Sequence, residues 1–443
     1  MVQIAPFRPL QYSPQQTSFI SRLVAPPFDV VDRREAERLR EMDPHNVIRL
    51  TLGKAPPEGR EAEEYDAAAR TLQAWRRDGV LVPAPEASIY VCEQQFTMDG
   101  VRYVRRGMIC ALLLQELGTG GVLPHEQTMA GPKADRYRLM EACRANLSQV
   151  FVMCSDAQGL ADEWVARAAR GALVCEFRTP EDVAYKMWAV SDPAETGRIA
   201  ALLRDEVLVI ADGHHRYETA LRYRDAHRPE GAPPGAAAQD FIPIFCVSVR
   251  NAGLKILPTH RVAKAPSGLE PDALLAALGG RFAMRQVTVG GPERLKEALR
   301  DRPAADAIGC FLGGKELHWL CGAKPGALDD CIPDRLPQWR RLPVTQLHYA
   351  VLGPLLGIPS EAGRAHPRLE LRQDVETAYW DVASGRFDVA FLLPPTSPAT
   401  VEAVARGGER MPPKSTFFYP KMLAGLAIYP FDGDRPVLPT SGA

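Results

Sequence analysis

The run Ala211–Tyr217 reads ADGHHRY and gathers a carboxylate, two imidazoles and a guanidinium within a few positions. It directly follows the apolar stretch Val207–Ile210, which predicts a buried strand. Gly213 allows a sharp turn and the close approach of a ligand. The helix predicted after it leaves N–H groups without partners in its first turn, and these donors and the helix dipole suit an anion. The pattern therefore predicts a phosphate site at a strand–turn–helix junction.

Each polar side chain of this run has a predicted part in that site. His214, His215 and Arg216 are expected to donate to phosphate oxygens, and an arginine can do so in bidentate fashion. Asp212 is expected to cap the helix or to help hold Mg²⁺ against the phosphates. The alternative is a plain capped helix with histidines on its surface. Zinc is disfavoured, because adjacent helical side chains point about 100° apart.

A second run, LPHEQTMAGPKADRYRLM at residues 123–140, also combines proton acceptors with cations. His125 and Glu126 are candidates for taking a proton from a reacting group. Lys133 and Arg136 are predicted to neutralise phosphate charge. Read alone, the run is also compatible with an ordinary capped helix.

Two further runs place polar residues after a rigid Pro-Pro pair. In VAPPFDVVD, residues 24–32, Asp29 follows the prolines. In MPPKSTFFYPK, residues 411–421, the prolines fix an extended approach to the polar residues. Rigid loops rich in donors are what a charged small ligand needs, although tight turns would look the same. The predicted nucleotide-binding residues here are Lys414, Ser415 and Thr416.

The elements around the first motif alternate between strand and helix. A strand at 207–210, a helix at 216–226 and a strand at 241–249 predict an α/β layer. Asp99-Gly100 between two strand-like runs predicts a hairpin. Further predicted elements are a helix at 61–78, a strand at 390–393 and a helix at 399–405.

The domain prediction follows from this alternation. Residues 1–240 are expected to form the phosphate-binding domain and residues 241–432 a second α/β domain. Residues 433–443 are polar and proline-rich and are expected to be a flexible tail. The fold class is therefore α/β, with α+β character and mixed sheets.

Composition limits which binding partners and which cellular compartment we expect for this protein. The 443 residues are 46% hydrophobic and 24% charged with a net charge of −1, so no global field favours nucleic acid. No run of about 18 apolar residues predicts a membrane span, and the N-terminus lacks the features of a signal peptide. The nine cysteines form no CxxC pair, which is typical of reduced thiols. We expect a cytoplasmic protein with a small phosphorylated ligand; its oligomeric state is open.

Five runs together carry a specific resemblance. APPFDV, HEQTMAGPKADR, ADGHHRYETA, PTHRV and MPPKSTFFYPK resemble those of a bacterial and archaeal family known only as a domain of unknown function. These runs extend along nearly the whole chain. The resemblance identifies the family but implies little about its activity.

The run DGHHR is also similar to the phosphate-binding motif of the ParB/sulfiredoxin superfamily, which includes free-serine kinases. The resemblance implies a ParB/sulfiredoxin-like nucleotide-binding core, with Gly213, His214, His215 and Arg216 on the phosphates of ATP or ADP, and Mg²⁺ as a cofactor. His214 stands where sulfiredoxins have cysteine, which disfavours thiol chemistry. No helix–turn–helix signal accompanies the motif, which disfavours DNA binding.

Three functions follow from these observations. The first is a kinase or phosphatase that transfers a phosphoryl group between a nucleotide and a small hydroxyl metabolite. Serine or phosphoserine is the leading candidate for that metabolite. Lys133 and Arg136 would stabilise the transferred group, and Glu126 or Asp212 would accept the hydroxyl proton. The second is a nucleotide-operated binding protein or switch without metabolite turnover. The third is a structural or partner-binding α/β protein.

Overall fold

The computed structural model describes residues 1–53, 61–128, 130–332, 335–359 and 366–439. Its contacts divide the chain into two compact units. Unit 1 comprises Met1–Pro124, Thr128–Leu254 and Pro420–Ala443, and unit 2 comprises His125–Gln127 and Lys255–Tyr419. The predicted boundary at residue 240 falls just ahead of a strand of unit 1, Phe241–Ser248. How function divides between the two regions stays a prediction.

Strands and helices are numbered here along the whole chain. The strands are β1 Ile4–Ala5, β2 Leu10–Tyr12, β3 Leu81–Pro83, β4 Ile89–Met98, β5 Val101–Leu113, β6 Val122–Pro124, β7 Ala145–Asn146, β8 Val150–Cys154, β9 Ala172–Arg178, β10 Ala184–Val190, β11 Leu208–Asp212, β12 Phe241–Ser248, β13 Lys255–Leu257, β14 His260–Ala263, β15 Phe282–Thr288, β16 Ile308–Phe311, β17 Glu316–Ala323, β18 Leu369–Arg372, β19 Val389–Leu392, β20 Phe417–Tyr419 and β21 Tyr429–Pro430. The α-helices are α1 Ile20–Leu23, α2 Arg33–Met42, α3 Ile48–Thr51, α4 Glu61–Arg77, α5 Ala130–Cys143, α6 Leu160–Ala168, α7 Pro193–Leu203, α8 His214–His227, α9 Pro271–Arg281, α10 Pro292–Arg300, α11 Pro337–Arg340, α12 Pro343–Leu347, α13 Gly353–Leu356, α14 Val375–Ala383 and α15 Pro398–Arg406, and a π-helical turn spans His348–Leu352.

Unit 1 is built on a mixed sheet whose strand order is β6-β11-β8-β12-β5-β4-β10-β9, with β1 beside β5. β11 runs parallel to β6 and antiparallel to β8, and β8 runs parallel to β12. The central strands are apolar on both faces, so β12 is buried at every position. Helices α6 and α7 and the buried ring of Trp164 pack on this sheet and complete the core.

The elements predicted from the sequence are confirmed with small shifts at their ends. The hairpin turn between β4 and β5 has Asp99 at φ 50° and Gly100 at φ 75°, as a tight turn of this type requires. The helix predicted at 61–78 is α4, and the strand and helix predicted near 390 and 400 are β19 and α15. The mixed α/β class is therefore confirmed, whereas the ParB/sulfiredoxin assignment stays a prediction.

Unit 2 contains a sheet with the order β15-β17-β16-β19-β14-β18, in which every pairing is antiparallel. Its core lies against α10 and α14 and includes Phe311 and Trp319, both almost fully buried. β13 pairs with β20 and so fixes the strand that follows the run MPPKST.

All nine cysteines lie in described residues, and none is in a disulfide. Seven are buried, and only Cys321 and Cys331 are half-buried. Burial raises the pKa of each thiol of Cys143, Cys175 and Cys310 to about 12. These cysteines therefore act as small core hydrophobes.

Among the described residues, no helix combines the length and apolar character needed to cross a bilayer.

Candidate phosphate-binding site

The turn between β11 and α8 is built on Gly213. This residue is the N-cap of the helix and has φ 94°, in the region that favours glycine. A Cβ at this position would lie 2.8 Å from Nη2 of Arg216, so the guanidinium also occupies the space beside the turn. The chain thus enters the 14-residue helix α8 directly after a buried strand, with the positive end of the helix dipole at the turn.

Asp212 joins two cations at this turn. Its Oδ2 accepts from Arg216 Nη2 at 2.8 Å, and its Oδ1 pairs with Lys421 Nζ at 2.5 Å. Gly213, and not Asp212, is the N-cap residue of α8, and a capping role for Asp212 stays a prediction. One carboxylate facing two cations leaves a local excess of positive charge, which suits an anion.

Arg216 is fixed in its orientation by two further contacts. Its Nη1 donates to Ser148 Oγ at 3.0 Å and to the carbonyl oxygen of Gln149. Both acceptors precede β8, the strand antiparallel to β11. The guanidinium is therefore held between the two strands rather than swinging freely in solvent. On the same turn, His214 is buried and His215 is partly exposed.

The backbone at Lys421 is held by a buried polar cluster. The Tyr185 hydroxyl donates to the Lys421 carbonyl at 3.0 Å, and Gln94 Nε2 donates to the same oxygen at 3.3 Å. Arg105 donates to the Pro420 carbonyl and, through Nε at 2.8 Å, to Gln94 Oε1. Burial lowers the pKa of Arg105 to about 10, which still leaves it charged at neutral pH. The cluster fixes the point from which the Lys421 side chain reaches Asp212.

A cavity that is partly open to solvent adjoins this turn. Arg136 lines it, donating to Asp135 Oδ2 at 2.7 Å and to the Thr51 carbonyl at 2.7 Å, with its guanidinium 3.9 Å from the ring centre of Phe28. The cavity thus joins three runs singled out in the sequence. Its lining residues are Pro27, Phe28, Thr51, Arg136, Leu139, Met140, Ala145, Asn146, Leu147, Ser148, Arg216 and Ala424.

Lys133 lies on the same helix as Arg136 but lines a different cavity. Its Nζ pairs with Glu218 Oε2 at 2.8 Å and donates to Thr128 Oγ1 at 3.2 Å. With Glu218, Thr219 and other residues of α5 and α8 it lines a second cavity that is partly open to solvent. The two predicted phosphate cations of α5 therefore do not converge on one point.

In unit 2, the predicted residues of two runs contact one another. His125 is fully buried and its Nε2 lies 2.9 Å from Thr416 Oγ1. Glu126 Oε1 accepts from the Lys414 N–H at 2.8 Å. Ser415 Oγ donates to the Pro412 carbonyl at 2.5 Å and so closes a tight local turn. The HEQ and PPKST runs thus form one cluster.

Arg261, from the run PTHRV, supports that cluster. It is fully buried and its Nη2 donates to the Lys414 carbonyl at 3.0 Å, while Nη1 donates to the Thr259 carbonyl at 2.5 Å. Burial lowers the pKa of Arg261 to about 10, and the charge of Glu126 opposes that shift. Lys414 has φ 58°, a conformation that non-glycine residues rarely adopt and that marks a constrained loop.

A protein-family model described as "Protein of unknown function (DUF1015)" matches residues 4–345. The chain belongs to the DUF1015 family. No curated protein gives a significant match to it.

Several solved structures share some likeness with this DUF1015 protein. A free serine kinase in complex with AMP is 13% identical over 73% of this chain and 98% of its own, with a TM-score of 0.33. A conserved hypothetical protein from Pyrococcus furiosus is 15% identical over 68% and 89%, with a TM-score of 0.32. SbnI with a C-terminal truncation, from Staphylococcus aureus, is 12% identical over 71% and 88%, with a TM-score of 0.35. TM-scores this low do not establish a shared fold.

Asp212 pairs with both Arg216 and Lys421 in this DUF1015 protein. Among the described residues, no group of three His, Cys, Asp or Glu side chains is arranged to hold a metal. Mg²⁺ is usually held by one or two carboxylates together with substrate phosphates and water. The role of Asp212 in holding Mg²⁺ therefore stays a prediction.

Lys421 and Arg105 are site residues that the sequence analysis did not single out. Lys421 ends the run MPPKSTFFYPK, whose predicted binding residues are the three polar residues directly after the prolines. Arg105 lies in β5, which is apolar from Gly107 to its end, and a charge beside such a stretch is a signal of a buried, paired group. Their partners come from distant parts of unit 1, which no local pattern shows.

Proposed function

We propose that this protein binds the phosphate groups of a nucleotide, ATP or ADP, at the Gly213 turn and transfers a phosphoryl group to or from a small hydroxyl metabolite. Serine or phosphoserine is the leading candidate for that metabolite. The supporting observation is the paired Arg216 and Lys421 around one carboxylate, at the N-terminus of a helix that follows a glycine turn. The likeness of the DGHHR run to a phosphate-binding motif supports the same reading.

The chemistry needs positioning and charge neutralisation more than covalent catalysis. The metabolite hydroxyl oxygen would attack the terminal phosphorus, the bond to the nucleotide oxygen would break, and the hydroxyl proton would pass to a protein base. Arg216, His214 and His215 would hold the phosphates, and Lys421 would add a cation. Glu126 is proposed as the base, a role predicted from the sequence.

The first test is phosphorus NMR of the purified protein with Mg²⁺, ADP and phosphoserine. Conversion to ATP and serine supports a kinase, and release of inorganic phosphate supports a phosphatase. Arg216→Ala and His215→Ala should each weaken pyrophosphate binding about tenfold or more, because each removes a phosphate donor. His227→Ala is the matched control, since His227 lies at the far end of α8 and pairs with Glu141 at 2.9 Å.

Glu126→Gln separates turnover from binding. The glutamine keeps an oxygen for the Lys414 N–H but lacks the basicity of a carboxylate. Loss of turnover with nucleotide affinity retained supports an enzyme. Nucleotide binding without conversion of any tested metabolite favours a nucleotide-operated switch instead. Unchanged pyrophosphate affinity in the Arg216 and His215 variants would show that the phosphate site is misplaced.

A further inference from the structure

The buried side-chain amide of Asn146 indicates a ligand-binding site. The residue is 5% exposed and lines the cavity beside Arg216 and Arg136. Among the described residues, its Nδ2 has no hydrogen-bond partner. Its backbone is fixed, because it belongs to β7 and pairs with Tyr429 of β21. Buried polar groups in folded proteins are nearly always satisfied, so this donor calls for an acceptor brought from outside the protein.

The residues that line the cavity indicate what kind of ligand would carry that acceptor. Most lining residues are apolar, among them Leu139, Met140 and Leu147. The charge of Arg136 is already matched by Asp135 at 2.7 Å, so this end of the cavity does not require an anion. A guanidinium stacked on an aromatic ring instead offers a flat, weakly hydrated surface of the kind on which planar bases stack. The cavity therefore suits a neutral, planar ring with an acceptor on its edge.

The other end of the cavity has the opposite character. Arg216 lines it as well, and this residue belongs to the phosphate turn through its pairing with Asp212 at 2.8 Å. Ser148, which also lines the cavity, accepts from Arg216 Nη1 at 3.0 Å and lies two residues after Asn146. A ligand with a planar ring at one end and phosphates at the other matches this order of groups.

We propose that this cavity is the base-binding subsite of the nucleotide, with Asn146 Nδ2 donating to a ring nitrogen or carbonyl of the base. The assignment rests on the proposed phosphate site and adds where the base lies and which residue recognises it. Phe28 supports the Arg136 guanidinium on which the base would stack, so a change at Phe28 should alter the affinity for the base and not the affinity for phosphate.

The test compares ADP with inorganic pyrophosphate by calorimetry on the full-length chain. Asn146→Leu, which removes the donor at similar size, should weaken ADP binding about tenfold and leave pyrophosphate binding unchanged. Phe28→Leu should act in the same direction. Asn251→Leu is the matched control, because the Asn251 amide donates to Asp162 at 2.9 Å and does not line the cavity.

The possible results distinguish failure of the base subsite from failure of the proposed phosphate site on which it rests. An unchanged ratio of ADP to pyrophosphate affinity in both variants overturns the base subsite, while pyrophosphate binding by the wild type preserves the phosphate site. Equal weakening of both ligands also overturns it, because that would reflect general loss of structure. If the wild type binds neither ligand, the phosphate site fails and the base subsite fails with it.

Discussion

At the scale of single residues, two arginines show how buried charge is used in this protein. Arg105 in unit 1 and Arg261 in unit 2 are both fully buried, and burial lowers the pKa of each to about 10. Each donates to backbone carbonyls of the segment 411–421, at Pro420 and at Lys414 respectively. A buried guanidinium is tolerated when most of its donors are satisfied, and here it fixes irregular backbone that carries motif residues. Arg261 Nε is the exception, because it is buried and has no hydrogen-bond partner among the described residues.

His260 predicts how the stability of the protein depends on pH. Burial, together with the charges of Arg261 and Arg302, lowers its pKa to about 3, against 6.5 ordinarily, although Asp374 opposes the shift. Its Nδ1 accepts from the Leu393 N–H at 3.1 Å, which requires the unprotonated nitrogen. The unfolded chain takes up a proton below about pH 6.5, whereas the folded protein does not until about pH 3. The stabilisation from neutral His260 is therefore full above the unfolded pKa and is lost as the pH falls through this window.

Urea unfolding at about pH 7.5 and about pH 5 measures this effect. We expect His260→Gln, which keeps an acceptor for the Leu393 N–H, to lose less stability between the two pH values than the wild type does. Carboxylates that titrate in the same range are common to both proteins and cancel in the comparison. An equal loss in the variant and the wild type would contradict the assignment to His260.

At the scale of elements, the β11–turn–α8 unit was predictable because its signals are local. The apolar run of β11, Gly213 and the polar run after it lie within a dozen residues, so periodicity and turn chemistry suffice. The predicted helix began at Arg216, two residues too late, because a glycine N-cap lets the helix start at His214 without a capping side chain. The role of Asp212 was not predictable, since its partner Lys421 is 209 residues away.

The contact between Arg105 and the segment after β20 is testable at this scale. Arg105→Met removes the donors to the Pro420 carbonyl and Gln94 Oε1 and leaves both acceptors buried. We expect a loss of about 3 kcal/mol in the free energy of unfolding. Pyrophosphate affinity should also fall, because the backbone that positions Lys421 is released. Urea unfolding and calorimetry measure the two effects.

Arg102→Met is the control for this variant. Arg102 lies on the same strand, β5, but is exposed and pairs with Gln95. It should change the free energy of unfolding by only a few tenths of a kcal/mol, as is usual for surface contacts. Equal stability of the Arg105→Met and Arg102→Met proteins would show that the buried cluster does not hold the segment in place.

At the scale of the whole molecule, the two units are not consecutive pieces of chain. Unit 1 takes its last segment from Pro420 onward, after the chain has completed unit 2. That segment supplies Lys421, the strand β21 that pairs with β7, and the Ala427 carbonyl that accepts from Gln149 Nε2 at 2.5 Å. The N-terminal part of the chain is therefore incomplete without the C-terminal one.

A truncation tests this interdependence. A chain that ends at Leu254 should fail to unfold cooperatively in urea, because Asp212 loses Lys421, Gln149 loses the Ala427 carbonyl and β7 loses its neighbouring strand. Residues 420–439 joined to the same fragment through a flexible linker should restore a cooperative transition. A cooperative transition in the shorter fragment alone would show that the returning segment is dispensable for folding.

The placement of the cysteines lets alkylation report which part of the molecule has opened. Six buried thiols lie in unit 1, whereas unit 2 has one buried thiol, Cys310, and two half-buried thiols, Cys321 and Cys331. Alkylating reagents attack the thiolate, which burial disfavours, so the seven buried thiols of the folded protein should be labelled more slowly than these two. Opening of unit 1 should then add six labels to the intact mass, and opening of unit 2 should add one. The native thiols therefore give separate opening rates for the two units without any engineered probe.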